Sequence, residues 1–217
     1  MPTLYAGPTG NGRKPLILVK LLNAPIDIHF FTWPTKEIKQ DWYLNLNPNG
    51  TQPTLVDDSK HLKLFESNAL LEYIATTYDK EGKYYYKENE PELYWEQKTW
   101  LYYQSAQFAA FNLARAIISV NANHVDKFTE NEILEGFKII YEVLENQLKK
   151  TNSGWLIGNK FTIVDIAFGA GNHRRLEKLT GTGYEIKDFD ALYPNVAKWY
   201  NNFLSVDGVE EVLNRKS

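Results

Sequence analysis

Residues 47–78, NPNGTQPTLVDDSKHLKLFESNALLEYIATTY, decide how the N-terminal part of this chain folds. NPNG at 47–50 is a strong turn signal. Thr54 to Val56 then read as a short strand, Asp57 to Lys60 as a hairpin turn, and Leu62 to Phe65 as the partner strand. From Glu66 to Tyr78 the chain reads as a helix, with Leu70, Leu71 and Ile74 at core spacing.

Towards the N-terminus, TLYA at 3–6 is β-prone and reads as the first strand. The turn GPTGNG at 7–12 leads into RKPLILVKLLNA, an apolar-periodic helix. Pro15 sits in its first turn, where a missing N–H costs little. IDIHFFT at 26–32 reads as a second strand, followed by a shorter helix near 36–45. The first 80 residues therefore read β-α-β-α-β-β-α.

Towards the C-terminus, DKEGKYYYKENEP at 79–91 is polar and charged without apolar periodicity, the pattern of a domain boundary. Every later segment reads helical: Glu92 to Val120, Thr129 to Lys149, Thr162 to about Leu176, Tyr193 to Leu204 entered through Pro194, and Gly208 to Leu213. The third of these has the sharpest start. Thr162 and Asp165 have the spacing of a reciprocal cap, and Phe161 and Ile166 that of a hydrophobic staple across it. The expected division is residues 1–80 as an α/β domain, 81–91 as linker and 92–217 as an all-helical domain.

Composition excludes several classes. With 217 residues, 43% of them hydrophobic, and 6 Trp, 14 Tyr and 11 Phe, the chain can fill one to two domain cores. A net charge of −3 without like-charge blocks leaves no electrostatic footprint for nucleic acid. The absence of Cys removes disulfides, thiolate metal sites and a Cys nucleophile, and fits a reducing compartment. The start, MPTLYAGPTG, lacks a basic segment followed by an apolar core, so no signal peptide is expected, and no apolar run approaches the roughly 18 residues of a membrane span. His29, His61, His124 and His173 show no ligand spacing, so no metal is expected. His173-Arg174-Arg175 reads as a solvated face.

Three motifs, NPNGTQPTL at 47–55, LFESNALLEYIATTY at 64–78 and WLIGNKFTIVDIAFGAG at 155–171, each look like the corresponding segment of the glutathione transferases, in that family's order and at about its spacing. The resemblance covers nearly the whole chain. It implies a thioredoxin-like N-terminal domain joined to an all-α C-terminal helical bundle. LYAGPTGNG at 4–12 is similar to the start of two groups within the family: bacterial nu-class enzymes, which act as glutathione-dependent disulfide reductases, and fungal transferases related to the yeast nitrogen-regulation prion protein. These groups place Thr and Asn beside the glutathione sulfur, here Thr9 and Asn11.

The residue chemistry agrees with that resemblance. Glutathione needs an acceptor for its α-amino group, donors for its α-carboxylate and an extended backbone edge for its Cys. Glu66 and Ser67 stand at a helix N-terminus, where free N–H groups and the dipole favour an anion; alone, Ser67 reads as a cap and Glu66 as a dipole partner. The resemblance implies a cis bond at Gln52-Pro53, presenting the Gln52 backbone to the glutathione Cys like an added strand. By base rates alone the bond is trans. Thr9, Asn11 and the N–H groups that open the first helix suit stabilisation of a thiolate. By itself TGNG is a turn. Tyr5, the rival activator, falls inside a strand and reads as packing.

One position departs from the pattern. Family members often carry Gln or His before NPNG to reach the glycine carboxylate; here Ile38 stands there, and Lys39 is the first choice to replace it, with Lys36 and Gln40 nearby. The co-substrate pocket implied by the resemblance is walled by Tyr103, Gln104, Phe108 and Phe111, each of which alone reads as helix core. Two functions stay open. One is a cytoplasmic, homodimeric enzyme that activates glutathione for transfer to a small electrophile or for disulfide reduction, without metal, membrane or nucleic acid. The other is a non-catalytic regulatory or scaffold protein.

Overall fold

The computed structural model describes residues 1–32, 34–109, 127–172 and 186–216. The chain forms two compact units, Met1–Tyr85 with Leu204–Ser217, and Tyr86–Phe203.

The first unit is built on a four-stranded mixed sheet in the order β2-β1-β3-β4, with β1 at Thr3–Ala6, β2 at Asp27–Phe30, β3 at Thr54–Asp57 and β4 at Leu62–Phe65. β1 runs parallel to β2, pairing Thr3 with Asp27 through Ala6 with Phe30, which requires a crossover; α1, Gly10–Leu22, supplies it. β3 is antiparallel to both β1 and β4. Leu4 and Ala6 are fully buried, and by the pleat they face opposite to Tyr5. α3, Ser67–Tyr78, packs against α1.

The expected strand over 26–32 ends earlier, at Phe30, although the Phe31 N–H still donates to Ala6 O. The expected helix near 36–45 is two pieces, a 3₁₀ turn at Glu37–Lys39 and α2 at Asp41–Leu44. Gln40 between them is extended, with φ −83° and ψ 150°, and this breaks the helix.

The NPNG turn is held by a side chain. Asn47 Nδ2 donates to Thr51 O (2.8 Å) and Thr54 Oγ1 (3.1 Å), while its Oδ1 accepts from the Asn49 N–H (3.0 Å). One buried amide thereby fixes the path from the turn into β3. Gly50 has φ +59°, and a Cβ there would meet Ile38 O and Leu44 Cδ2 at 2.9 Å, so glycine is required. The Gln52-Pro53 bond that follows is cis.

The C-terminal helix, α9 at Val209–Asn214, belongs with the first unit rather than with the helical one. A six-residue helix that presents Val209, Val212 and Leu213 must bury them against something. It packs on α1, where Lys20 pairs with Glu211 at 2.8 Å.

In the second unit, α4 spans Pro91–Tyr103 and continues into a π-helical turn at Gln104–Phe108. The expected helix to Val120 runs beyond the described residues after Ala109. α5 is Lys127–Thr151, α6 Ile163–Asn172, α7 Phe189–Leu192 and α8 Pro194–Ser205. α5 buries Phe137, Tyr141, Leu144 and Leu148 at helical spacing. Buried Glu145 on α5 accepts from the Asn195 and Val196 N–H groups, both at 3.0 Å, and so caps α8.

Asp165 is the polar centre of this unit. Its carboxylate accepts from the N–H of Leu156 (3.0 Å) and of Thr162 (2.8 Å), from the Thr162 hydroxyl (3.0 Å) and from Trp199 Nε1 (2.8 Å). It does reach back across the cap, as the spacing predicts. The Thr162 hydroxyl, however, accepts from the Val164 N–H at 3.2 Å and not from that of Asp165. The Phe161 ring lies against Trp155 and Phe203.

The segment read as linker is not polar throughout. Tyr84, Tyr85 and Tyr86 are buried. The Asp79 carboxylate accepts from the Lys83 and Tyr84 N–H groups, which shapes the exit from α3. Lys87 to Glu90 are exposed. Among the described residues no helix is long and apolar enough to cross a membrane.

Candidate functional site

The predicted thiol-side residues open α1. Thr9 is its N-cap, and its Oγ1 accepts from the Gly12 N–H at 3.1 Å. A hydroxyl that accepts in this way keeps its own proton to donate. Asn11 is exposed in the first turn. Gly12 is forced: a Cβ there would collide with Gly7 O and come within 2.8 Å of Gln52 Oε1.

Glu66 and Ser67 open α3. Glu66 is an exposed N-cap with φ +75° and ψ 110°, outside the regions favoured by a non-glycine residue. Such backbone strain concentrates at ligand sites, where the surrounding structure holds it. Ser67 is buried, and its Oγ donates to Asn11 Oδ1 at 3.4 Å, across 56 residues of sequence. The starts of α1 and α3 therefore meet. With the Asn11 oxygen engaged by Ser67, its Nδ2 donors remain for another acceptor.

Lys14, Asn68 and the Gln52 side chain take part in ways that were not legible in the sequence. Lys14, on the second turn of α1, is 1% exposed, and its Nζ donates to Ser67 Oγ (3.0 Å) and Asn68 Oδ1 (3.1 Å). A lysine within RKPLILVK reads as the polar side of an amphipathic helix, and only the packing of α1 on α3 buries it. The third is the Gln52 side chain. Its amide is buried against Gly7 and Gly12, with no hydrogen-bond partner for either polar atom among the described residues. From the sequence, only the Gln52 backbone is expected to take part.

Ile38 is buried with Phe31 and Tyr43, in agreement with its inability to serve as a donor. Lys39 is exposed beside the NPNG turn, and its Nζ donates to Asn49 O at 3.4 Å. Gln40 accepts from Trp42 Nε1 at 2.7 Å. Tyr5 lies among His29, Trp42 and Tyr43, at ring separations of 5.2 to 6.0 Å. That is an aromatic cluster, the packing role expected of it.

Of the predicted co-substrate wall, Tyr103 is half-buried against Trp100 and Phe168, and burial raises its phenol above the ordinary value. Gln104 and Phe108 are buried inside the helical unit, the Phe108 ring 5.3 Å from that of Phe168. Phe111 lies outside the described residues. A cavity of ≈ 570 Å³ in the first unit, lined by Leu16, Ile28, Val212 and Arg215 among others, contains none of the predicted site residues. Among the described residues no group of His, Asp or Glu is placed to hold a metal ion.

A small mixed sheet flanked by α1 and α3, and a helical unit after it, define a two-domain protein in which the starts of α1 and α3 meet at polar side chains. Family comparison agrees. The glutathione S-transferase N-terminal domain model matches residues 11–77 and the C-terminal domain model residues 108–207. Glutathione S-transferase 2 of Schizosaccharomyces pombe is 32% identical over 96% of this chain and 93% of its own length. A crystal structure of a glutathione S-transferase-like protein from Lodderomyces elongisporus superposes with a TM-score of 0.91 at 47% identity, covering 100% of this chain and 96% of the other. A glutathione transferase homologue from the same organism, solved with two glutathione molecules per subunit, has a TM-score of 0.85 at 29% identity, covering 98% and 97%. This chain belongs to the glutathione S-transferase family.

Proposed function

We propose that the protein binds glutathione and activates its thiol, for transfer to an electrophile or for reduction of a disulfide. The observation that carries this reading is the hydrogen bond from Ser67 to Asn11, which joins the residue expected at the γ-glutamyl end to the one expected at the thiol. Ser67 and the first N–H groups of α3 suit the α-carboxylate, and Glu66 suits the α-ammonium. The Gln52 backbone suits the Cys, and exposed Lys39, with its ammonium at the turn beside it, suits the glycine carboxylate. The Thr9 hydroxyl, the Asn11 amide and the opening N–H groups of α1 are donors for the sulfur anion.

The absence of Cys constrains the disulfide route. The glutathione thiolate attacks one sulfur of the substrate disulfide and expels a substrate thiolate. The mixed disulfide then joins glutathione to substrate, and a second glutathione releases it as glutathione disulfide. Two glutathiones are consumed, which suits a family in which one relative binds two per subunit. We place the protein in the cytoplasm as a homodimer. Trp95 and Tyr102, 65% and 74% exposed and seven residues apart on α4, support a second copy there.

The test is calorimetric titration with glutathione, followed by turnover assays with an aryl chloride and with a small dialkyl disulfide. Binding with turnover of either substrate supports the enzyme. Binding without turnover, and without a lowered thiol pKa, moves the protein to the scaffold class. No binding at millimolar glutathione ends the reading.

A further inference from the structure

We infer that Lys14 is a positioning residue for the carboxylate end of the ligand, a role that rests on the glutathione reading above. Donor and acceptor capacity fixes how these side chains can pair. An ammonium has three donors and no acceptor, whereas a serine hydroxyl has one donor and two acceptor sites. Lys14 Nζ stands 3.0 Å from Ser67 Oγ, so Ser67 must accept there and its proton must point elsewhere. The structure shows where: Ser67 donates towards Asn11, on the open side of the α1–α3 junction. The same ammonium takes Asn68 Oδ1 at 3.1 Å, which turns the Asn68 amide donors away from Lys14. Two side chains at the start of α3 are thus oriented by one cation set behind them.

The charge acts as well as the geometry. Lys14 is 1% exposed, so its field is poorly screened by water. It adds to the N-terminal end of the α3 dipole, which alone amounts to about half a charge. A carboxylate seated at the first N–H groups of α3, taking the Ser67 proton in place of Asn11, would meet both. Lys14 does not touch the ligand in this scheme; it acts through Ser67 and Asn68.

The experiment compares glutathione with γ-aminobutyryl-cysteinyl-glycine, the same molecule without the γ-glutamyl α-carboxylate. Lys14→Met should weaken glutathione about tenfold or more, the scale for losing support to a charged group. It should change affinity for the analogue by less than about twofold, and Lys14→Arg should recover part of the loss for glutathione. Equal loss for both ligands, or no loss for either, overturns the inference. If Lys14→Met does not fold, ζ-¹⁵N spectra of the wild-type lysines decide. A water-protected ammonium resonance should move with glutathione and stay with the analogue; no difference between the two overturns the inference. Wild-type protein that binds neither ligand refutes the glutathione reading itself.

Discussion

Thr9 caps α1 with an oxygen that accepts from Gly12, and the proposed thiolate role would fall to the hydroxyl proton it keeps. Replacing Thr9 alone therefore mixes stability with activity, and Asn11, exposed and not part of the cap, is the cleaner probe. Asn11→Ala is expected to lower turnover by on the order of 10²-fold, as loss of one preorganised donor typically does, while glutathione binding changes much less. The double change Thr9→Ala with Asn11→Ala should show the full effect. Tyr5→Phe should be silent, because Tyr5 lies in the aromatic cluster with His29, Trp42 and Tyr43. Steady-state rates of the three variants check this; an inactive Tyr5→Phe beside an active double variant reverses the assignment. Ser67→Ala behaves differently, since it removes the hydroxyl proposed for the carboxylate and leaves the buried Lys14 with one acceptor fewer. Titration should find glutathione binding weaker by about 1–3 kcal/mol.

α6 depends on a single carboxylate that also ties in α8 and the 155–162 loop. Burial pushes Asp165 up to about 6, against the opposing pull of the Leu156, Trp199 and Thr162 donors. In the unfolded chain the carboxyl titrates near 4. Between about pH 4 and pH 6 the folded protein therefore holds a proton that the unfolded chain has released, and stability from this group falls as pH rises through that window. Asp165→Asn should flatten that part of the curve. Its amide nitrogen also faces a donor, which should cost about 1–3 kcal/mol. Urea unfolding at intervals from pH 4 to pH 7 reads both effects, and an unchanged slope would discount Asp165 as the titrating group.

Two expectations concern the molecule as a whole. The boundary is proposed to lie in the segment after α3, but Tyr84, Tyr85 and Tyr86 are buried within it. Limited digestion should therefore spare those tyrosines and cut first at exposed Lys87 to Glu90. Initial cleavage inside α5 would move the boundary. The exposed aromatic pair on α4 is the proposed contact between two copies. Trp95→Glu with Tyr102→Glu should halve the mass seen by light scattering while leaving the circular dichroism of the chain intact. A wild-type protein already at monomer mass removes the dimer.

The sequence alone carried the elements whose cause is local. Periodicity marked α1, α3, α5 and α6; β-prone runs between turn residues marked the four strands; Thr162 and Asp165 marked a helix start. The resemblance added the residues Thr9, Asn11, Glu66 and Ser67, and the cis bond at Gln52-Pro53 that the structure contains. What depended on distant partners was not legible. Lys14 reads as a surface lysine until α3 lies over it, because burial belongs to a pair of helices and not to one. Gln52 reads as a backbone edge until its amide fills the space left by Gly7 and Gly12. The C-terminal helix reads as the end of a helical domain until α1 is there to cover Val209 and Leu213. Hydrogen bonds and periodicity act over a few residues and leave their mark in the string. Desolvation and side-chain pairing across 50 residues or more, as in Lys14 with Ser67, exist only once the chain has closed.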